Sequence, residues 1–366
     1  RSCQRNQTYP INISMKIAVT GKPFVGKTTI FRALTRAAEG QHVTDKPNIG
    51  TVKVPDRRID YLSEVFQPKK TTYAELIFTD FAGFEKTATS LEKQPETLNQ
   101  LKTAEALAVV CKLFDQDADF SPVKDIEEWE SELLLADLQT IENRLERINK
   151  SSKGKKIQLH EEEKKLLHTC KDTIESGKPL RALDLTDTEK KMLSGFQMLS
   201  IKPVIVIYNI PDSWLGKSES ELPQISKLQA YPNMAVTSIC GEVELEIAQL
   251  EENDRIEFMK EMDIEEPGLN KFIQASYGLL GLISFFTVGK DEVKAWTIKK
   301  NTEALEAAGE IHSDIERGFI RAEIISYEDF KSCGSLNEGK KRGLARLEGK
   351  KYIVQDGDII NFRFNV

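Results

Sequence analysis

The chain has 366 residues, 40% of them hydrophobic, and a formal net charge of -7. That length suits two or three domains with a sizeable core, and the negative balance argues against wholesale coating of nucleic acid, though not against a local basic patch. Five cysteines (Cys3, Cys111, Cys170, Cys240, Cys333) form no CxxC pair, which argues against a zinc site or disulfide framework and for a reducing, cytoplasmic setting.

Residues 1–14 are polar, without the apolar stretch of a signal peptide, and are expected to be an extension with no role in the fold. Met15 to Thr20 reads as a short buried strand. A glycine-rich turn follows, then a helical pattern from Thr28 to Ala38. Further strands are expected at Glu75–Asp80, Leu107–Phe114, Val204–Tyr208 and Ala235–Cys240. Strands spaced by helical stretches indicate βαβ units and a mostly parallel sheet. No apolar run approaches the roughly 18–20 residues of a membrane span.

Residues 121–198 differ in character, being rich in Glu, Lys and Leu. Leu134, Leu138, Ile141, Leu145 and Ile148 repeat at helical spacing. So do Leu159, Leu166, Leu167, Cys170 and Ile174, with a polar turn at Ser151-Ser152-Lys153-Gly154 between the two sets. The pattern predicts an inserted helical coiled-coil hairpin, with two ordinary surface helices as the alternative. In the last 90 residues, Ile283–Val288, Glu292–Ile298 and Tyr352–Val366 are strand-like, and Asp356-Gly357-Asp358 is a turn signal. A small α+β domain with a barrel-like sheet is expected there. The expected division is 15–120 with 199–277 as a nucleotide-binding domain, 121–198 as the insertion and 278–366 as the C-terminal domain.

Gly21-Lys22-Pro23-Phe24-Val25-Gly26-Lys27-Thr28 matches G-x-x-x-x-G-K-[ST] in full, after a strand and before a helix. Gly21 and Gly26 let the backbone curl into a nest of N–H groups around phosphate oxygens. The helix that follows, which opens with Thr28 and Thr29, adds the positive end of its dipole. Lys27 is a point charge for the β and γ phosphates, and Thr28 offers a hydroxyl to Mg²⁺. Asp80-Phe81-Ala82-Gly83 fits D-x-x-G at the end of a strand. Asp80 would hold Mg²⁺ through water, and the Gly83 N–H would sense the γ phosphate. Thr44 stands where a loop threonine could complete the Mg²⁺ shell, with an ordinary loop role equally open. The expected ligand is therefore a purine nucleoside triphosphate with Mg²⁺.

GTP-binding proteins read guanine with N-K-x-D after a late strand. Here the strand runs into Asn209-Ile210-Pro211-Asp212, with Ile210 in place of the lysine. Its aliphatic stem would have lain along the base, so guanine selectivity is expected to weaken and ATP to be accepted or preferred over GTP.

With these motifs in place, the chain from Met15 to Val366 resembles the YchF family of Obg-like ATPases, of the TRAFAC class. The most specific stretches are Gly281–Thr287, Ala295–Ile298, Ala307–Asp314, Gly318–Glu323 and Leu347–Asp358, which look like the family's C-terminal ubiquitin-like TGS domain. Asn209-Ile210-Pro211-Asp212 looks like its N-x-x-E base motif with Asp in place of Glu. The resemblance implies a P-loop G domain, ATP over GTP, a coiled-coil insertion and a role on the ribosome or a ribosomal subunit. It implies neither a membrane nor DNA as partner.

Two departures bear on catalysis. The family's second switch is glycine-rich, whereas Phe84 to Asn99 holds no glycine. The family also places a histidine after the third strand, and this chain's histidines are His42, His160, His168 and His312. Phe84 stands where many GTPases place a water-orienting glutamine, and a phenyl ring cannot polarise water. Hydrolysis is expected to be very slow or absent, and no catalytic residue is assigned. Two functions stay open: an ATP-dependent switch, or a nucleotide-binding adaptor that has lost hydrolysis. Lys69-Lys70 and Lys340-Lys341-Arg342 are short basic runs, expected to be solvated faces. The second lies where a contact to ribosomal RNA phosphates would be placed. His312 is expected to be structural and Cys111 buried rather than reactive.

Overall fold

The computed structural model of the protein describes residues 15–36, 48–80, 95–113, 121–150, 157–222 and 224–365. In chain order the elements are β1 (Lys16–Gly21), α1 (Lys27–Thr35), β2 (Asn48–Lys53), α2 (Arg57–Phe66), β3 (Lys70–Thr72), β4 (Glu75–Asp80), α3 (Pro95–Thr103) and β5 (Ala106–Lys112). The long α4 (Pro122–Lys150) and α5 (Ile157–Glu175) follow, then α6 (Asp187–Leu193), β6 (Val204–Asn209), α7 (Ile225–Gln229), β7 (Met234–Ile239), α8 (Gly241–Gln249), α9 (Glu252–Glu261) and α10 (Gly268–Leu279). The C-terminal part holds β8 (Leu282–Val288), β9 (Glu292–Lys299), α11 (Ala304–Ile311), α12 (Ser313–Arg317), β10 (Phe319–Ser326), α13 (Tyr327–Cys333), α14 (Leu336–Lys341), β11 (Arg346–Glu348) and β12 (Asp358–Phe364).

The chain divides into two compact units. The larger comprises Met15–Thr51 and Ile77–Ala275. Its sheet has the order β2-β4-β1-β5-β6-β7, with β1 parallel to β4 and β5, and β6 parallel to β5 and β7. Parallel strands are covered on both faces, so they read as continuous apolar runs, and every residue of β6 is buried. Each of the five expected strands of this sheet is present within a residue or two at either end. Phe114, like most of the segment after Thr35 that was expected to be helical, lies outside the described residues.

The inserted hairpin is also present. Ile141, Leu145 and Ile148 of α4 share an apolar cluster with Leu166, Leu167, Cys170 and Ile174 of α5. Arg144 bonds Glu163 at 2.7 Å and Lys171 bonds Glu142 at 2.6 Å, a pairing that runs antiparallel. The expected turn at 151–154 falls outside the described residues. The root of α4 belongs to a different cluster: Val123, Ile126, Trp129 and Leu133 pack with Val109, Cys111, Val206 and Tyr208 of the sheet. Asp137 fastens the helix further by accepting the backbone N–H groups of Leu199 and Ser200 and the Ser200 hydroxyl, each at 2.7 Å. The buried Arg181–Glu130 ion pair adds a second fastening. Burial pushes the Cys111 thiol up to about 12, as expected of an inert buried cysteine.

The smaller unit joins Val52–Leu76 to Ser276–Val366. This differs from the expected division, which kept the whole of 15–120 together. Its sheet has the order β11-β10-β12-β8-β9-β3, and β3 pairs in parallel with β9 through Lys70↔Glu292 and Thr72↔Lys294. The Thr72 hydroxyl donates to Glu292 at 2.6 Å, Arg58 reaches Asp356 at 2.9 Å, and Phe66 stacks on Phe330. A three-residue strand with one partner carries no periodicity, so β3 leaves no trace in the sequence pattern. One expectation here needs correction. Regular strand begins only at Asp358, because Gly357 turns the backbone at φ 90° and Tyr352 to Gln355 serve the turn. Lys69, Lys70, Lys340 and Arg342 lie on exposed faces, as expected, each beside a carboxylate, Asp291, Glu292, Glu323 and Glu338 respectively. His312 has a structural place, its Nδ1 accepting the Asp314 N–H at the start of α12. Among the described residues, no helix is long and apolar enough to cross a membrane.

In the larger unit, Glu244 of α8 accepts the backbone N–H of Gly268 at the start of α10. Burial pushes its carboxyl up to about 7, against those backbone N–H groups, which pull the other way. The folded pKa stands above the unfolded one, so the folded chain holds the extra proton. Stability is therefore expected to fall as pH rises from the ordinary glutamate range through 7. Glu244→Gln should flatten that fall, which thermal unfolding at about pH 5 and about pH 8 would measure. An unaltered pH dependence in the variant would show that another group is responsible.

Candidate functional site

The loop between β1 and α1 is shaped by contacts that only glycine permits. A Cβ on Gly21 would meet the Val110 carbonyl oxygen at 2.5 Å, and one on Gly26 would meet Asn209 Nδ2 at 2.1 Å. Both glycines also have positive φ, 139° and 91°. Phe24, at the crest of the loop, sits at φ 61°, in the left-handed region that a non-glycine residue adopts at some cost. Lys22, Pro23 and Phe24 are exposed, Val25 and Lys27 are buried, and Thr28 and Thr29 are partly buried.

The N-terminus of α1 departs from ordinary helix design. No side chain caps it, and its first turn holds no acidic residue. Surface helices usually carry Ser, Thr or Asp there to satisfy the first N–H groups and the dipole. Leaving that end bare suits an anion supplied from outside. The Lys27 ammonium is folded into the loop and donates to the Lys22 carbonyl at 2.7 Å.

Thr28 and Asp80 meet, as the metal reading requires. The Thr28 hydroxyl lies 3.5 Å from Asp80 Oδ2, with Asp80 buried at the end of β4. A hydroxyl and a carboxylate are hard oxygen donors that fit Mg²⁺. Among the described residues no cluster of three or more His, Cys, Asp or Glu could hold a metal by itself. The other two expected members of this site, Thr44 and Gly83, lie outside the described residues, as does Phe84.

The expected base motif divides three ways. Asn209 does reach the phosphate loop, but as a clamp: its Nδ2 donates to the Val25 carbonyl, and its Oδ1 accepts the Gly241 N–H at the start of α8, both at 3.0 Å. One side chain thus ties the loop, the end of β6 and α8 together. Ile210 turns away from that position and is buried in the apolar cluster with Cys111 and Leu113. Asp212 is exposed in a short turn, its Oδ1 accepting the N–H of Ser213 at 2.6 Å.

The tie between Lys22 and the helical insertion went unread in the sequence. Lys22 bonds Asp125 at 2.6 Å and Glu128 at 2.7 Å, both near the start of α4. Partners more than a hundred residues apart leave no local signal.

Two family models match the chain. A YchF GTPase C-terminal family, described as a protein of unknown function, matches residues 282–365. A 50S ribosome-binding GTPase family matches residues 16–144. The ribosome-binding ATPase YchF of Bacillus subtilis (strain 168) is 39% identical over 368 residues, covering 97% of this chain and all of that protein. The protein of the same name from Escherichia coli O157:H7 is also 39% identical, with the same coverage of both chains. The solved structure of the Schizosaccharomyces pombe YchF GTPase superposes with a TM-score of 0.83 at 30% identity, covering 97% of this chain and 99% of that one.

Gly26→Ala tests the cradle. The added methyl group would collide with Asn209 and hold a strained φ, costing about 1–3 kcal/mol in the loop. Triphosphate affinity, read by titration calorimetry, is expected to drop roughly 10- to 100-fold, and the melting temperature to fall by a few degrees, since the strain lies in the folded chain. Unchanged affinity would mean that phosphate does not sit in this loop.

Proposed function

The chain belongs to the YchF family, and on that premise we propose that it binds a purine nucleoside triphosphate with Mg²⁺, prefers ATP over GTP, hydrolyses it slowly, and acts in the cytoplasm as a ribosome-associated switch in translation or stress. The observation that carries this reading is the bare N-terminus of α1, with Thr28 and Asp80 converging beside it.

In this reading the N–H groups of the loop from Gly21 to Gly26 and of Thr28 and Thr29 hold phosphate oxygens. Lys27 leaves the Lys22 carbonyl for the phosphates. Thr28 and Asp80 hold Mg²⁺, which would neutralise charge on the phosphate oxygens. Asn209 keeps the loop in register with the end of β6, where the base would lie. Ile210 supports the ATP preference, because a buried isoleucine supplies neither an ammonium nor an aliphatic stem at the base. Asp212 belongs to the same base region. The replacement of a water-orienting residue by Phe84 supports slow hydrolysis. The ribosome as partner is supported by the names of the relatives, and contact to ribosomal RNA is part of the proposal.

Lys27→Ala is expected to remove most triphosphate affinity. Thr28→Ala should weaken only the Mg²⁺-dependent part, so that binding measured in excess EDTA stays near wild type. Competition calorimetry should rank ATP above GTP, and tenfold tighter GTP would reverse that assignment. Single-turnover hydrolysis should be far below about 1 s⁻¹ without ribosomes and faster with them. No turnover in either condition would favour the adaptor that only binds. Co-sedimentation with ribosomal subunits should depend on ATP.

A further inference from the structure

The side chain of Lys22, in the phosphate loop, is held by the helical insertion. Its ammonium lies 2.6 Å from Asp125 Oδ1 and 2.7 Å from Glu128 Oε2. These carboxylates are three residues apart near the start of α4, so they share one face of the helix. The same residue's carbonyl accepts the Lys27 ammonium at 2.7 Å. Lys22 is therefore bonded through its backbone to the lysine that would meet phosphate, and through its side chain to the arm.

The surrounding geometry makes that double bond consequential. Pro23 follows Lys22, so its ring fixes one dihedral and restricts the Lys22 backbone. Phe24 is then held at φ 61°. Beyond it, the Val25 carbonyl is clamped by Asn209. The loop between those two anchors has little slack, so a shift at Lys27 is passed to Lys22. On the other side, α4 is a single helix of 29 residues, about 43 Å long. Its root shares the core of the sheet and its far part packs on α5. A rigid lever of that length turns a small rotation at the root into a displacement of several ångströms at the tip. Burial works against the Lys22 charge, but the bonds from Asp125 and Glu128 outweigh it, and the bond to Lys22 holds Glu128 below the usual carboxylate range.

We infer that Lys22 is a tether through which occupancy of the phosphate loop is coupled to the orientation of the α4–α5 arm. The coupling rests on the nucleotide-binding reading above and gives it a route out of the site. When Lys27 is drawn to a polyphosphate, the Lys22 carbonyl loses its partner. The loop segment at Lys22 and Pro23 then relaxes, and Asp125 and Glu128 follow the ammonium. Linkage makes the effect reciprocal: a change imposed at the arm's root must alter nucleotide affinity by the same factor. The Lys22 side chain is 45% exposed and that of Glu128 51%, so the factor is modest, roughly three- to tenfold.

The test compares the full chain with Lys22→Met and with the double variant Asp125→Asn/Glu128→Gln. Hydrogen–deuterium exchange of residues 121–150 is measured with and without ATP and Mg²⁺, and the ATP dissociation constant by calorimetry. Melting temperatures confirm that each variant folds. The wild type is expected to change its exchange at the root of α4 when ATP binds. Both variants should still bind ATP, with affinity altered about three- to tenfold, and should lose most of that change. The charge swap Lys22→Asp with Asp125→Lys should restore part of it, which loss of simple packing would not allow. An arm response that persists undiminished in Lys22→Met would overturn the tether, and so would a wild type that binds ATP with no response in α4. A wild type that binds no ATP at all would instead overturn the proposed function beneath it.

Discussion

The carboxamide of Asn209 is the hub of the larger unit. It sits at the end of a strand buried along its whole length, gives an N–H to the Val25 carbonyl and takes one from Gly241. Gly26 must be glycine because that carboxamide occupies the space of a Cβ. The curl of the loop is held at this seat and, on its other side, by the close approach of Gly21 to Val110. A buried amide bonded on both sides is costly to leave unsatisfied, so the three segments it joins are held together.

From that seat the construction spreads in two directions. The root of α4 shares the core that contains β5 and β6, while its outer half belongs to the hairpin with α5. One helix thus spans two apolar clusters, and the buried Asp137 and the Arg181–Glu130 pair fasten it where the first cluster gives way to the second. Lys22 ties the phosphate loop to the same root. Loop and arm are joined by charge, and arm and sheet by packing.

The smaller unit is built by a different logic. Its sheet mixes antiparallel pairs with the parallel pairs β12–β8 and β3–β9. Its outermost strand on one side comes from residues 70–72, drawn from the middle of the segment that otherwise builds the larger unit. Arg58, bonded to both Asp56 and Asp356, holds the α2 segment to the turn before β12. The chain leaves its first unit, contributes a helix and a strand to the second, and returns through β4.

Much of this was legible without coordinates. The strands of the parallel sheet are continuous apolar runs, and the spacing of Gly21, Gly26, Lys27 and Thr28 is dictated by local backbone geometry, so both can be read from neighbouring letters. The leucine and isoleucine spacing of the arm is likewise a local, helical signal. The base motif was legible as a sequence pattern, but the contacts its residues make were not: Asn209 bonds the loop, Ile210 packs in the core and Asp212 bonds within its own turn.

The sequence by itself determined the form of the loop between β1 and α1 and which segments are strand, helix and arm, because those depend on periodicity and on what glycine, lysine and threonine can do within eight residues. Tertiary structure alone decided that β3 crosses into the second sheet, that Asn209 clamps the loop and that Lys22 answers to Asp125 and Glu128. Those contacts join residues separated by about a hundred positions or more, and a contact across that distance is chosen by packing and charge in space, which no local pattern encodes.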